Sequence, residues 1–164
     1  MKISKKMETA INRQVNAEFY SAYLYLSMAA YFEQASLRGA AAWMRVQAQE
    51  ELGHGMRLFN YVLERGGSAD LKPIEKPPAK WKSPLGAFEA SLEHEQKVTK
   101  MIDSLCNLAK SEKDHATEIA LQWFVTEQIE EEASVGEIVE KLKLVGSKGN
   151  GLFMIDKELG KRKK

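Results

Sequence analysis

The stretch QAQEELGHGM, residues 47–56, sets Glu51 and His54 three positions apart inside a run that otherwise has the spacing of a long amphipathic helix. Residues three apart on a helix lie on one face, so both side chains project the same way. Continued in both directions, that face reads Met44, Gln47, Glu51, His54, Leu58, Tyr61. It is apolar at its ends and polar in its middle. A stripe that faces a bundle core is ordinarily apolar throughout. The polar middle therefore asks for a chemical reason.

The rest of the chain supplies the setting. Prolines occur only at 73, 77, 78 and 84 and separate two long proline-free blocks. ASLRGA at 35–40 breaks the first block and predicts helices over about 5–34 and 38–65, the second stopped by Gly66 and Gly67. KSEKDHA at 110–116 breaks the second block and predicts helices over about 84–110 and 114–145. GSKGNG at 146–151 leads into the apolar segment LFMIDKEL, read as a short fifth helix over about 150–160. No run has strand period, and no internal repeat is evident. Short breaks make each pair of long helices an antiparallel hairpin. The connection over 66–83 has 18 residues and no helical periodicity. Extended at ~3.3 Å per residue it reaches roughly 60 Å, more than the roughly 40 Å of a helix of ~27 residues. It can cross the whole bundle and let the third helix run parallel to the second. The expectation is an all-α chain, one domain over 1–164, with a four-helix bundle over about 5–145, one long crossover and a short C-terminal helix.

The other helices repeat the pattern of the opening stretch. The first gives Met7, Ile11, Val15, Glu18, Ala22, Tyr25, Ala29, Phe32. The third gives Phe88, Leu92, Glu95, Ile102, Cys106, Ala109. The fourth gives Leu121, Phe124, Gln128, Glu131, Val135, Ile138, Leu142, Val145. Every stripe turns polar near its middle. A buried, unpaired carboxylate is costly and takes up a proton instead. Glu18, Glu51, Glu95 and Glu131 at one level, with no lysine or arginine on these stripes there, call for one or two multivalent cations. Oxygen-rich ligation with one imidazole suits iron or manganese, and zinc can also bind. Tyr25 beside such a centre can hydrogen-bond a ligand carboxylate or donate an electron, and Gln128 neighbours the ligands. Glu50, Glu127 and Glu130 lie one residue off the stripes and form a candidate flanking cation site. Glu112 and His115 repeat the Glu-x-x-His spacing but fall at a turn, as a capping or surface pair. His94 is rotated off the core stripe and is assigned to the surface, and Trp123 to packing.

Composition narrows the function classes. The formal net charge is +1, from 24 basic and 23 acidic residues, which gives no footprint for nucleic acid. Cys106 is the only cysteine, so an intrachain disulfide or a CxxC metal site is excluded. No apolar run has the length of a signal peptide or approaches the ~20 residues of a membrane span. The tail KRKK at 161–164 reads as a solvated end. Cytoplasmic residence is the expectation.

These residues resemble a family. NRQVNAEFYSAYLYLSMAAYF, AAAWMRVQAQEELGHGMRLFNYV, EHEQKVTKMI, LQWFVTEQIEEE and LFMIDKEL together look like a prokaryotic non-haem ferritin over nearly the whole chain. Ferritin-like di-iron bundles are the standard case of carboxylates projecting into a bundle core. The resemblance implies that Glu18, Glu51 and His54 hold one iron and that Glu51, Glu95 and Glu131 hold a second, with Glu51 bridging. It makes Tyr25 and Gln128 auxiliary, and gives Glu50, Glu127 and Glu130 a third iron. Where a symmetrical di-iron site has a second Glu-x-x-His, this chain has Gln128-x-x-Glu131, unlike bacterioferritins. Leu52 stands where those carry a haem-ligating methionine, so no haem is expected. Rubrerythrins add a cysteine-ligated iron module that one cysteine cannot build. The resemblance implies a ferroxidase that oxidises iron(II) with dioxygen or hydrogen peroxide and stores iron(III) mineral. The shell would be a homo-oligomeric cage of identical subunits, commonly about 24, with no nucleic-acid or membrane partner. Leu152, Phe153 and Ile155 are expected in contacts between subunits, as is a second apolar face including Phe19, Leu24, Leu26 and Trp43. Two other classes share the pattern: a di-iron oxidase of an organic substrate, and a helical bundle without metal chemistry.

Overall fold

The computed structural model describes residues 2–146 and 149–162, and over them the chain forms five helices. They are α1 (Lys5–Gln34), α2 (Arg38–Glu64), α3 (Pro84–Ser111), α4 (His115–Val145) and α5 (Asn150–Leu159). The predicted bounds hold to within about a residue at each end. Residues 147–148 of the glycine-containing linker and 163–164 of the basic tail lie outside the described residues.

Local chemistry sets where the helices begin. Ser4 Oγ accepts from Met7 N at 3.1 Å, and Ser83 Oγ from Gly86 N at 3.0 Å with Pro84 opening α3. Asp114 Oδ1 accepts from Thr117 N at 3.2 Å. Each satisfies a backbone donor that the first turn leaves free. The first residue of α2 has no such partner before it, since Leu37 precedes it. Its cap comes from far along the chain: Asp156 Oδ1 on α5 accepts from Ala40 N at 2.8 Å. The two hairpin turns each use one residue with positive φ, Ser36 at 59° and Lys113 at 55°.

α1 packs along α2 and α3 along α4. Apolar side chains form two clusters. One joins Tyr25, Met28 and Phe32 of α1 to Ala41 and Met44 of α2, Phe88 of α3 and Val135 and Leu142 of α4. The other joins Met7, Ile11 and Val15 to Leu58 and Val62, Ile102 and Leu105, and Leu121 and Phe124. The second cluster therefore takes the start of α1, the end of α2, the end of α3 and the start of α4. α2 and α3 run parallel, and the connection between them crosses the bundle. It does so along α1. Asn12 Nδ2 donates to Ser68 O at 2.8 Å, Ser27 Oγ donates to Pro78 O at 2.5 Å, and Trp81 meets the Tyr31 ring edge-on at 5.4 Å. Between the two clusters lies the polar level.

α5 folds back on α2 and α4. Ile155 and Leu159 are buried against this chain's own bundle, so Ile155 needs no neighbouring subunit to cover it. Phe153 and Met154 remain 69% and 70% exposed, and Leu152 is half-buried. Leu24 and Trp43, expected on a second face, are also core, whereas Leu26 is exposed and Phe19 half-buried. Among the described residues no helix is long and apolar enough to cross a membrane.

Gly39 is what lets α5 seat. A Cβ there would stand 1.7 Å from the carbonyl oxygen of Asp156 and 3.0 Å from Gly160 N, both backbone atoms that cannot swing aside. Gly39→Ala is expected to dislodge α5 and cost about 1–3 kcal/mol. Thermal melting should show the loss, and limited proteolysis should show faster cleavage after residue 145 with α1–α4 still helical.

Candidate metal centre

Each helix delivers its polar residues to the same level because each stripe is interrupted at its midpoint. Glu18, Glu51, His54, Glu95, Gln128 and Glu131 are all buried, at 8% exposure or less. Gly55 keeps α1 and α2 close here, since its Cβ position is filled by the Phe19 ring at 2.5 Å. Glu18, Glu51 and His54 each present a ligand atom within 4.8 Å of the others, and so do Glu51, Glu95 and Glu131. Glu51 belongs to both groups.

Neutral donors hold these carboxylates on one side. Gln14 Nε2 donates to Glu18 Oε1 at 2.8 Å. Gln47 Nε2 donates to Glu51 Oε1 at 2.9 Å and to Glu131 Oε1 at 3.0 Å. Tyr25 donates its hydroxyl to Glu95 Oε1 and lies 3.0 Å from Ser91 Oγ. Gln128 Nε2 reaches the Glu95 carbonyl at 3.3 Å and its Oε2 at 3.4 Å. His54 Nδ1 lies 3.6 Å from Glu51 Oε2, and its ring is walled by Trp123 and Phe124 with centroids at 5.3 and 6.1 Å. The other side of the carboxylates faces inward without a partner. Glu18 Oε2, Glu51 Oε2 and Glu131 Oε2 are buried and accept no hydrogen bond. Orphaned acceptors of this kind are expensive, and a cation at either ligand group could satisfy them.

Electrostatics agree. Burial pushes the Glu18 carboxyl up. Glu51 lies well above the usual carboxylate range because of burial, then the Glu95 and Glu18 charges. Glu131 is raised by burial and by Glu51 and Glu95. Glu95 is raised by burial, against the opposing hydrogen bonds from Tyr25 and Gln128. Burial and the Glu95 charge keep the Tyr25 phenol protonated, as its role of donor requires.

The structure departs from the sequence expectation at several residues. His94 is not at the surface: it is half-buried, 2.7 Å from Ser21 Oγ, with burial lowering it to about 4. Arg162 of the basic tail is not solvated. Its side chain is 24% exposed, donates to Gln47 Oε1 at 2.9 Å, pairs with Glu50 and stacks 4.4 Å above the Trp43 ring. Glu112 and His115 keep the turn and surface role expected of them: Glu112 caps the end of α3 and accepts from Ser4, and exposed His115 lies 3.1 Å from Glu118. Glu50, Glu127 and Glu130 are not drawn into a third tight group among the described residues; Glu127 is half-buried and Glu130 exposed. Sequence reasoning passed over Gln14, and left Gln47 without a role. Their signal was available: each precedes a core glutamate by four, the spacing at which an amide meets a carboxylate on a helix.

The ferritin-like domain profile matches residues 8–145. The chain is 46% identical over 160 residues to a bacterial non-heme ferritin of Bacteroides fragilis, covering 98% of this chain and 99% of that one. The chain belongs to the ferritin family. A Campylobacter jejuni bacterial non-heme ferritin is 42% identical over 154 residues, 94% of this chain and 92% of that one. Among solved structures, an open pore ferritin from the hyperthermophilic archaeon Archaeoglobus fulgidus superposes with a TM-score of 0.98 at 56% identity, covering 99% of this chain and 100% of that chain. As a ferritin the chain serves iron storage.

The raised carboxyls make apo-ferritin stability depend on pH in a definite direction. The folded cluster keeps protons that the unfolded chain releases near 4.5, so its stability is full below that value and declines as pH rises toward the folded values. Each proton held costs about 1.4 kcal/mol per pH unit across that window. Glu51→Gln, which removes one charge at constant shape, should raise the melting temperature of the metal-free protein more at pH 8 than at pH 5. Melting at the two pH values checks it.

Proposed function

We propose that this ferritin oxidises iron(II) at the buried centre and stores the product as iron(III) mineral inside a cage of identical subunits. The observation that carries the reading is that Glu18, Glu51 and Glu131 each keep a buried oxygen without a partner, with Glu51 common to two groups whose ligand atoms lie within 4.8 Å of one another. In this reading Glu18, Glu51 and His54 take one iron(II) and Glu51, Glu95 and Glu131 the other. Iron is the substrate here. Each ion gives up one electron to dioxygen or hydrogen peroxide, and the carboxylates stabilise the charge that rises as it does so.

The surrounding residues have definite tasks in this reading. The carboxyls surrender their protons as cations arrive, so loading releases acid. Gln14 and Gln47 steady Glu18, Glu51 and Glu131 by donating to one oxygen of each. Tyr25 and Gln128 do the same for Glu95, and Tyr25 is the electron donor nearest a ligand carboxylate. Trp123 and Phe124 close the His54 side against water. Glu50, Glu127 and Glu130 form a flanking position through which a third iron passes. Haem has no part in this reading.

Glu51→Ala is expected to abolish rapid oxidation while leaving the bundle folded, because both ligand groups lose their shared member. Mixing iron(II) with the aerated protein and following ferric absorbance tests it, with circular dichroism as the fold control. Wild-type kinetics in a folded Glu51→Ala chain would overturn the assignment.

The cage reading rests on the ferritins that this chain superposes on and on its exposed apolar side chains. Tyr23, Leu26, Leu52 and Ile74, with Phe19 beside them, line an apolar groove of about 440 Å³ on the α1–α2 face. Burying such a face needs another subunit. Sedimentation at micromolar concentration and physiological salt should show a large closed particle, and a monomer there would defeat the reading.

A further inference from the structure

One buried amide holds two of the centre's glutamates together. Gln47 Nε2 donates one hydrogen to Glu51 Oε1 at 2.9 Å and the other to Glu131 Oε1 at 3.0 Å. It thus bridges α2 and α4 inside the Glu51, Glu95 and Glu131 group. Its carbonyl oxygen faces the opposite way and accepts from Arg162 Nη1 at 2.9 Å. Arg162 is itself fixed by two further contacts, a pairing with Glu50 and a stack 4.4 Å above the Trp43 ring. α5 brings it there. Asp156 caps α2 at Ala40, Gly39 admits the α5 backbone, and Glu158 pairs with Lys141 of α4 at 2.7 Å. Arg162 follows α5 by three residues and inherits that placement.

The two ends of a primary amide are alike in shape and opposite in polarity. Turned over, Gln47 would set its oxygen against the carboxylate oxygens of Glu51 and Glu131 and its NH₂ against a guanidinium. Arginine donates, never accepts, and keeps its charge. Contact with Arg162 therefore admits one orientation, with the carbonyl toward the chain end and the NH₂ toward the centre. Water in the place of Arg162 serves either end of the amide and sets no orientation. Charge alone acts in the other direction. Arg162 brings a positive charge toward a place where cations bind, and like charges repel. If its field were its whole effect, removing Arg162 would tighten cation binding. Orientation of Gln47 requires the opposite sign.

We propose that Arg162 is a positioning residue for the metal centre. Through the Gln47 carbonyl it fixes the amide that holds Glu51 and Glu131 in register, so that docking of α5 strengthens cation binding at the core. Linkage makes the effect reciprocal: the factor that α5 docking adds to cation affinity is the factor that a bound cation adds to α5 docking. The inference rests on the reading that Glu18, Glu51, His54, Glu95 and Glu131 bind two cations.

Calorimetric titration of the metal-free protein with redox-inert zinc(II) tests this without iron oxidation. Arg162→Met keeps an apolar stem over Trp43 and drops the donors. It should weaken zinc binding at the core about two- to tenfold, the worth of one or two hydrogen bonds. Arg162→Lys still donates but lacks the fork that spans Gln47 and Glu50, and should fall between that variant and the wild type. Gln47→Met should weaken binding at least as much, and adding Arg162→Met to it should cause no further loss, because the path runs through the amide. Cobalt(II), whose visible absorbance reports coordination geometry, should give the same altered spectrum in both single variants. Hydrogen exchange over 150–162 should slow as zinc fills the wild-type core, and should not respond in Gln47→Met. Unchanged or tighter zinc binding in Arg162→Met overturns the inference, and so does an equal loss when Gln47 is already methionine. Glu51→Ala keeps the two readings apart. If it leaves zinc uptake intact, the centre is misassigned and both fall; if it removes uptake while Arg162→Met does nothing, the role of Arg162 falls alone. Circular dichroism and particle size confirm that each variant folds and assembles as the wild type does.

Discussion

The crowding of Glu18, Glu51, Glu95 and Glu131 into a dry level between two apolar clusters is the constraint on which the rest depends. Water cannot reach these carboxylates to offset their charge, and among the described residues no lysine or arginine pairs with them. The subunit answers in two ways. Protons stay on groups that would lose them in solution, and neutral amides and a phenol donate to the outward oxygens. Neither answer serves the inward oxygens of Glu18, Glu51 and Glu131. An added cation could supply what those oxygens lack.

That arrangement uses stability from both ends of the bundle. The cluster around Phe32, Met44 and Phe88 and the cluster around Ile11, Ile102 and Leu121 are each well packed, and they clamp the polar level between them. Side chains fixed by packing on both sides cannot swing away to relieve repulsion. Preorganisation of this kind costs stability in the metal-free chain and is recovered when cations bind. The long crossover is part of the same design. Parallel α2 and α3 bring the middle of all four stripes to one height, and only a connection along the full length of α1 permits that order.

α5 adds a further layer. It closes the N-terminus of α2 with Asp156 and delivers Arg162 to the edge of the centre. A cation near the acidic level thus comes from the last described residue of the chain, and it meets Glu51 and Glu131 through the amide of Gln47. Here the short helix is tied electrostatically to the residues that would handle iron.

Much of this was legible in the amino-acid sequence. Helix bounds follow from Pro84, from Gly66 and from the breaks at 35–40 and 110–116, whose effects on the backbone are local. The core faces follow from heptad-like spacing, and the level of the site follows because helical rise is uniform, so equal distances from a hairpin mean equal heights. Glu18, Glu51, His54, Glu95 and Glu131 could be grouped on that basis alone. The tertiary structure decided what periodicity cannot encode. His94 is one position off its stripe, yet α1 covers it and Ser21 meets it. Ile155 is buried at home because Gly39 lets α5 lie flat on α2. Arg162 reads as a solvated tail residue, since the one acidic side chain within four residues of it, Glu158, is exposed and offers no buried partner. Its contacts with Gln47 and Glu50 span 115 and 112 positions. A pairing that distant depends on where a whole helix docks, and docking is settled by shape.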